Sequence, residues 1–213
     1  MAQYFQIHPR NPQPRLIRQA VGIIESGGVL AYPTDSSYAL GCRFGNAQGA
    51  QRMRDIRGLD ERHNFTLVCA ALSDVGQFVK LSNEAYRFIK AFTPGPYTFI
   101  VPATREIPRR FQNQRRRTVG LRIPDSEIVN ALLAELGAPL LSTTLILPDD
   151  EQPQSDADQI RELLEHKVDL VIDGGACGIE PTTVIDLVDH EPEVLRVGKG
   201  DIAMLQSNEA RAV

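Results

Sequence analysis

No run of apolar residues in this chain approaches the ~20 needed to cross a bilayer, and the first fifteen residues are polar and proline-spotted, with no apolar leader core. Neither a membrane span nor a secretory leader is expected, and the reading is a soluble, cytoplasmic protein. Cysteine is scarce: Cys42, Cys69 and Cys177 stand far apart, with no CxxC pair. An odd, scattered set fits reduced thiols and argues against metal binding. No G-x-G-x-x-G opens a helix after a strand and no G-x-x-x-x-G-K-[ST] occurs, so the two common nucleotide-binding folds lack support. There is no G-x-S-x-G elbow for a hydrolase triad. His8, His63, His166 and His190 are isolated, without H-E-x-x-H spacing. Internal repeats and linker-like stretches are also missing.

What is present is ordinary globular material. The chain has 213 residues, 42% hydrophobic and 23% charged. That is enough for one sizeable core, too apolar for disorder, and one domain is the default at this length. The net charge of −4 argues against non-specific coating of nucleic acid. The charge is unevenly spread, however. From Arg105 to Arg122 the only acid is Glu106, while Asp149 to Glu165 is rich in acids. An arginine-rich face on an acidic body is the footprint of selective anion binding; a solvated surface loop is the plainer reading.

Periodicity places helices at Leu16–Ser26, Asn46–Arg57, Ser82–Ala91, from Asp125 or Ser126 to Leu136, and Ser155–Lys167, with a short one at Ser73–Phe78. Strands read at Val29–Tyr32, Tyr38–Arg43, Phe65–Ala70, Tyr97–Pro102, Thr118–Ile123, Leu140–Leu147, Leu170–Asp173, Thr183–Leu187 and Val194–Val197. The irregular alternation, with several strands in succession, predicts a mixed, twisted sheet with helices packed on it. Residues 1–15 read as an N-terminal extension, 16–200 as the single domain and 201–213 as a frayed tail.

Several stretches bear on chemistry. The turn after Tyr32-Pro33 crowds Thr34, Asp35 and Ser36; the Thr34 and Ser36 hydroxyls would meet a ligand or merely satisfy the turn. Arg54 and Arg57 share one face at the C-terminal end of a predicted helix, and Arg62 and His63 follow it; from the helix end Arg57 can pair bidentately with phosphate or carboxylate. Arg122 sits in an apolar strand and needs a partner, either a structural carboxylate or a ligand anion. Thr93-Pro94-Gly95-Pro96 forms a rigid corner. Ser142, Thr143 and Thr144 share one β-like run, and threonine favours strands in any case. The glycine-rich loop at Gly174-Gly175 precedes Thr182 and Thr183 and is able to approach a ligand closely.

Taken in order, YPTDSSYALG (Tyr32–Gly41), TPGPYTFIV (Thr93–Val101), VGLRIPD (Val119–Asp125), LLSTTL (Leu140–Leu145), PTTVIDL (Pro181–Leu187) and VLRVG (Val194–Gly198) resemble the YrdC-like domain family, across Leu16 to Gly200. IRGLDERHNFTLVC (Ile56–Cys69) and the opening FQIHPRNPQPRLI resemble its YciO branch. The resemblance implies a twisted α/β sheet with a large, concave, basic cavity. It also implies a relation to threonylcarbamoyl-AMP synthase, which joins threonine, bicarbonate and ATP and releases pyrophosphate, in the modification of a tRNA adenosine. Binding of double-stranded RNA is a further association of such domains. By resemblance, Arg57, Arg122 and Thr34 carry the chemistry. Thr34, His63, Ser142, Thr144, Thr182, Thr183 and Arg196 bind threonine or nucleotide. Magnesium arrives with ATP, and no cofactor is permanently bound.

Two departures stand out. Leu59 replaces the second basic residue of the family's K-x-R motif, and Ile146 replaces the asparagine of S-x-N. Losing an arginine and an amide that hold triphosphate costs on the order of several kcal/mol of transition-state stabilisation. One reading is thus a weak synthase. A second is a non-catalytic binder of nucleotide, tRNA or double-stranded RNA, with Arg109, Arg110, Arg115, Arg116 and Arg117 tracking phosphates. The plainest is a stable relic whose arginines only solubilise.

Overall fold

The computed structural model describes residues 1–60, 63–113, 115–189 and 191–203. Arg62, His190 and the tail beyond residue 203 lie outside the described residues. The strands are β1 (Gln3–Gln6), β2 (Val29–Tyr32), β3 (Ala39–Arg43), β4 (Thr66–Val68), β5 (Tyr97–Pro102), β6 (Thr118–Arg122), β7 (Leu140–Thr144), β8 (Leu170–Asp173), β9 (Thr183–Asp186) and β10 (Glu193–Arg196). The helices are α1 (Pro14–Glu25), α2 (Ala47–Arg57), α3 (Asn83–Phe92), α4 (Glu127–Leu136) and α5 (Ala157–Leu164), with short 3-10 turns at Leu72–Val75 and Arg109–Phe111.

All ten strands join one mixed sheet in the order β1-β8-β2-β3-β7-β4-β6-β5-β9-β10. The central strands read as near-continuous apolar runs because helices cover both faces. In β2 all four residues are buried. On one face, Ile17, Ala20, Val21 and Ile24 of α1 pack with Ile128, Val129, Leu132 and Leu133 of α4. On the other, Ala50, Met53 and Ile56 of α2, Ile89 of α3, and Ile160 and Leu164 of α5 close a larger core around Phe65, Phe99 and Phe111. Among the described residues no helix is long and apolar enough to cross a membrane.

The helix ends follow their local chemistry. Side chains of Asn46, Ser82, Ser126 and Asp156 accept from backbone N–H groups in the first turns of α2, α3, α4 and α5. α2 ends on Gly58 in the left-handed conformation, φ 62°, and this leaves Arg57 as the last helical residue.

The first fifteen residues are not an appendage. β1 pairs in parallel with β8, from Gln3 opposite Leu170 to Gln6 opposite Asp173, Ile7 is buried, and α1 starts at Pro14. The four-residue strand QYFQ is too short and too polar to announce itself by alternation. At the other end, the Thr183 hydroxyl donates to the Gly200 carbonyl at 2.7 Å and the Tyr97 hydroxyl to the Asp201 carbonyl at 2.9 Å, so the chain stays pinned as far as Asp201. A side chain at Gly198 would run into the backbone of Pro181 and Thr182.

Candidate functional site

Arg57 projects from the C-terminal end of α2 towards the end of β7. Its Nη1 donates to Thr143 Oγ1 at 2.6 Å and its Nε to the Ile146 carbonyl at 3.1 Å. His63 Nε2 lies 3.0 Å from the same Thr143 hydroxyl. Burial pushes His63 down to about 4, aided by the positive charges of Arg57, Arg54 and Arg196 and opposed by Asp60. The imidazole is therefore neutral near pH 7. The Thr143 hydroxyl accepts from Arg57 and shares a hydrogen bond with Nε2, so it ties the imidazole to the guanidinium.

Arg57 is itself pushed down to about 10 by burial and by the charge of Arg196. Arg196, on the edge strand β10, is lowered by burial and by the charge of Arg122. The residue is exposed, and its guanidinium folds onto Thr182, with Nε and Nη2 donating to the Thr182 carbonyl at 3.1 and 2.9 Å. Thr182 Oγ1 in turn lies 2.8 Å from Thr98 Oγ1. The charge of Arg196 thus reaches Arg57 and that of Arg122 reaches Arg196, a run of like charge from α2, β10 and β6 that an anion would relieve.

Arg122, only 7% exposed, is the exception in that its partner is built in. Its Nη2 donates to an Asp35 carboxylate oxygen, to Ser36 Oγ at 2.9 Å and to Thr34 Oγ1 at 3.1 Å. Asp35 also accepts from the Asp125 N–H at 3.1 Å, and Lys199 Nζ donates to the Asp35 carbonyl at 2.6 Å. Of the two partners open to Arg122 in sequence, the structure supplies the carboxylate. Arg122 Nε remains buried without a hydrogen bond. The Thr34 hydroxyl donates to the Ser37 carbonyl at 2.6 Å and lies 3.2 and 3.3 Å from the N–H groups of Ser36 and Ser37, so it is engaged within its own turn. Beside this turn opens a cavity of ≈ 480 Å³, lined by Asp35, Asp125 and Glu127 together with Arg10 and Lys199.

The remaining sequence-derived residues divide. Ser142 donates to the Leu40 carbonyl at 2.9 Å, lies 2.7 Å from the Tyr32 hydroxyl, and is buried. Thr144 shares that face of β7, because side chains alternate along a strand. Thr143, between them, meets Arg57 and His63. Thr183 is buried and holds the Gly198–Gly200 backbone. Thr143, Asp35 and Lys199 are among the site residues to which sequence reasoning gave no role, although Thr143 and Asp35 lay inside stretches it had marked. Arg109, Arg116 and Arg117 line a separate cavity at the Thr118 end of β6, whereas Arg122 closes the other end.

Residues 22–198 match the Sua5, YciO and YrdC family model, described as telomere recombination. The chain is 50% identical to YciO of Escherichia coli K12 over 95% of its own length and 98% of that protein, and the crystal structure of E. coli YciO superposes with a TM-score of 0.92. Threonylcarbamoyl-AMP synthase of Halorhodospira halophila is 29% identical over 84% of this chain and 93% of its own. The crystal structure of Pyrococcus abyssi Sua5 complexed with L-threonine is 25% identical, with a TM-score of 0.88 over 96% of this chain and 60% of that one.

Proposed function

Because this chain belongs to the Sua5, YciO and YrdC family, we propose that it binds a nucleotide and an amino acid around Arg57, Arg122 and Arg196, with weak chemistry of the threonylcarbamoyl-AMP synthase type. The observation that carries this reading is repulsion between buried like charges: burial and Arg196 lower Arg57, and burial and Arg122 lower Arg196. A triphosphate entering with magnesium offsets that repulsion. The adjoining cavity, with both acids and bases in its lining, suits a zwitterion such as threonine, its ammonium towards Asp35 and its carboxylate towards Lys199. The relation to synthases and to a threonine complex supports the substrate class.

The reaction in view condenses the threonine amine with bicarbonate to a carbamate, releasing water. A carbamate oxygen then attacks the α-phosphorus of ATP, the bond to the β-phosphate breaks, and pyrophosphate leaves. Arginine charge stabilises the phosphate oxygens as this happens. Leu59 and Ile146 stand where the family's K-x-R and S-x-N motifs have polar groups, so turnover is slow. RNA binding without turnover is the rival reading.

Calorimetry with MgATP, with and without threonine, tests binding, and pyrophosphate release tests turnover. The expected result is release that requires both threonine and bicarbonate and rises at least tenfold in Leu59→Arg/Ile146→Asn. A full-strength ATP signal in Arg57→Ala/Arg196→Ala sinks the assignment of the site.

A further inference from the structure

The cavity at the Thr118 end of β6 measures ≈ 630 Å³ and is lined by Lys80, Arg105, Arg109, Arg116 and Arg117, with no acid on its wall. Of these five, only Arg116 has an ion pair among the described residues, to Asp186 at 2.5 Å. The chain as a whole is acidic, at −4. Four cations without carboxylate partners around one hollow repel each other and favour an incoming anion.

The frame that holds them is rigid. Lys80 N–H donates to the Pro102 carbonyl at 2.9 Å, and Ala103 N–H to the Arg117 carbonyl at 3.0 Å. The buried Gln112 side chain donates to the Ile107 carbonyl at 2.5 Å, and Phe111 anchors the loop in the core. Asn113 Oδ1 accepts from the N–H groups of Arg115 and Arg116, each at 3.1 Å.

Arg117 adds a separate argument. Its φ of 56° makes it the one non-glycine residue at positive φ among those described. Glycine adopts that conformation at no steric cost, and an arginine does not. A side chain kept at such a position, and lining a basic hollow, points to use of the side chain.

We propose that this hollow is a second anion site that takes consecutive phosphate groups, separate from the Arg57, Arg122 and Arg196 cluster. The two sites lie at opposite ends of the five-residue strand β6, roughly 13 Å apart at 3.3 Å per residue. The phosphates come from a small oligophosphate or from a nucleic-acid backbone. Arg110 and Arg115, exposed beside the hollow but not on its wall, would extend the second option.

The test titrates inorganic tripolyphosphate, and separately a short RNA duplex, into the full chain at low and at moderate salt. Arg105→Ala/Arg109→Ala is expected to weaken at least one probe tenfold or more and to flatten its salt dependence. Arg117→Gly is expected to weaken the same probe severalfold while the melting temperature stays level or rises. Arg57→Ala/Arg196→Ala should leave this binding in place. A loss seen with tripolyphosphate alone assigns a small ligand; a loss with RNA assigns the backbone. Unchanged affinity for both probes in Arg105→Ala/Arg109→Ala, or disappearance of all binding in Arg57→Ala/Arg196→Ala, overturns the proposal.

Discussion

Thr143 is where charge and hydrogen bonding meet: one hydroxyl accepts from Arg57 at 2.6 Å and stands 3.0 Å from His63. Thr143→Val keeps the shape of the strand residue and removes the hydroxyl. A half-buried guanidinium N–H then loses its acceptor, at a cost of about 1–3 kcal/mol. The expected outcome is a lower urea midpoint together with weaker nucleotide binding. Thr143→Ser should restore most of both; if Val matches the parent in both, the hydroxyl does not organise the site.

His63 sets a pH dependence. Its folded value of about 4 lies below its ordinary 6.5, so between those limits the unfolded chain binds more protons than the folded one. Stability contributed here is complete above pH 6.5 and is lost as the pH falls towards 4. The amount is on the order of 2 kcal/mol once partial solvent exposure is discounted. His63→Gln should flatten the stability profile across that window in urea titrations. A profile as steep as the parent's would place the acid sensitivity elsewhere.

At the scale of single elements, α2 is the part that aims Arg57. Asn46 caps its start, and Gly58, at φ 62°, turns the chain immediately after Arg57. In Gly58→Ala a Cβ would lie 3.3 Å from Pro148 Cγ in a conformation that L-residues disfavour. The cost is about 1–2 kcal/mol, or several degrees in melting temperature. Nucleotide affinity should fall more than it does in Asn46→Ala, which loses about 1 kcal/mol of capping at the far end of the helix. Equal loss in the two variants would mean that α2 acts as one rigid rod. β7 shows how strand geometry sorts a motif: its three consecutive hydroxyls divide between two faces, because neighbours point to opposite sides.

For the molecule as a whole, the N-terminal strand matters most to stability. β1 covers the edge of β8, and Ile7 is buried beside it. A chain beginning at Leu16 loses the strand pairing and the burial of one large aliphatic side chain, the latter alone worth about 1.5–3 kcal/mol. It also exposes an apolar edge. The expected result is a lower urea midpoint and concentration-dependent association in sedimentation. An unchanged midpoint would restore the domain boundary drawn near residue 16.

Fold class, nine of the ten strands and all five helices were legible in sequence to within a few residues, because core-facing side chains must repeat at the period of the element that carries them. The ordered motifs likewise carried the family. Pairing between distant parts of the chain was not legible. β1 is defined by β8, 167 positions later at Gln3 and Leu170. Asp35 claims Arg122 across 87 positions, and Thr143 claims Arg57 across 86. Local propensity is written in neighbouring residues. A hydrogen bond or a repulsion between charges depends on distances of a few ångströms, which arise only once the sheet has brought remote segments side by side.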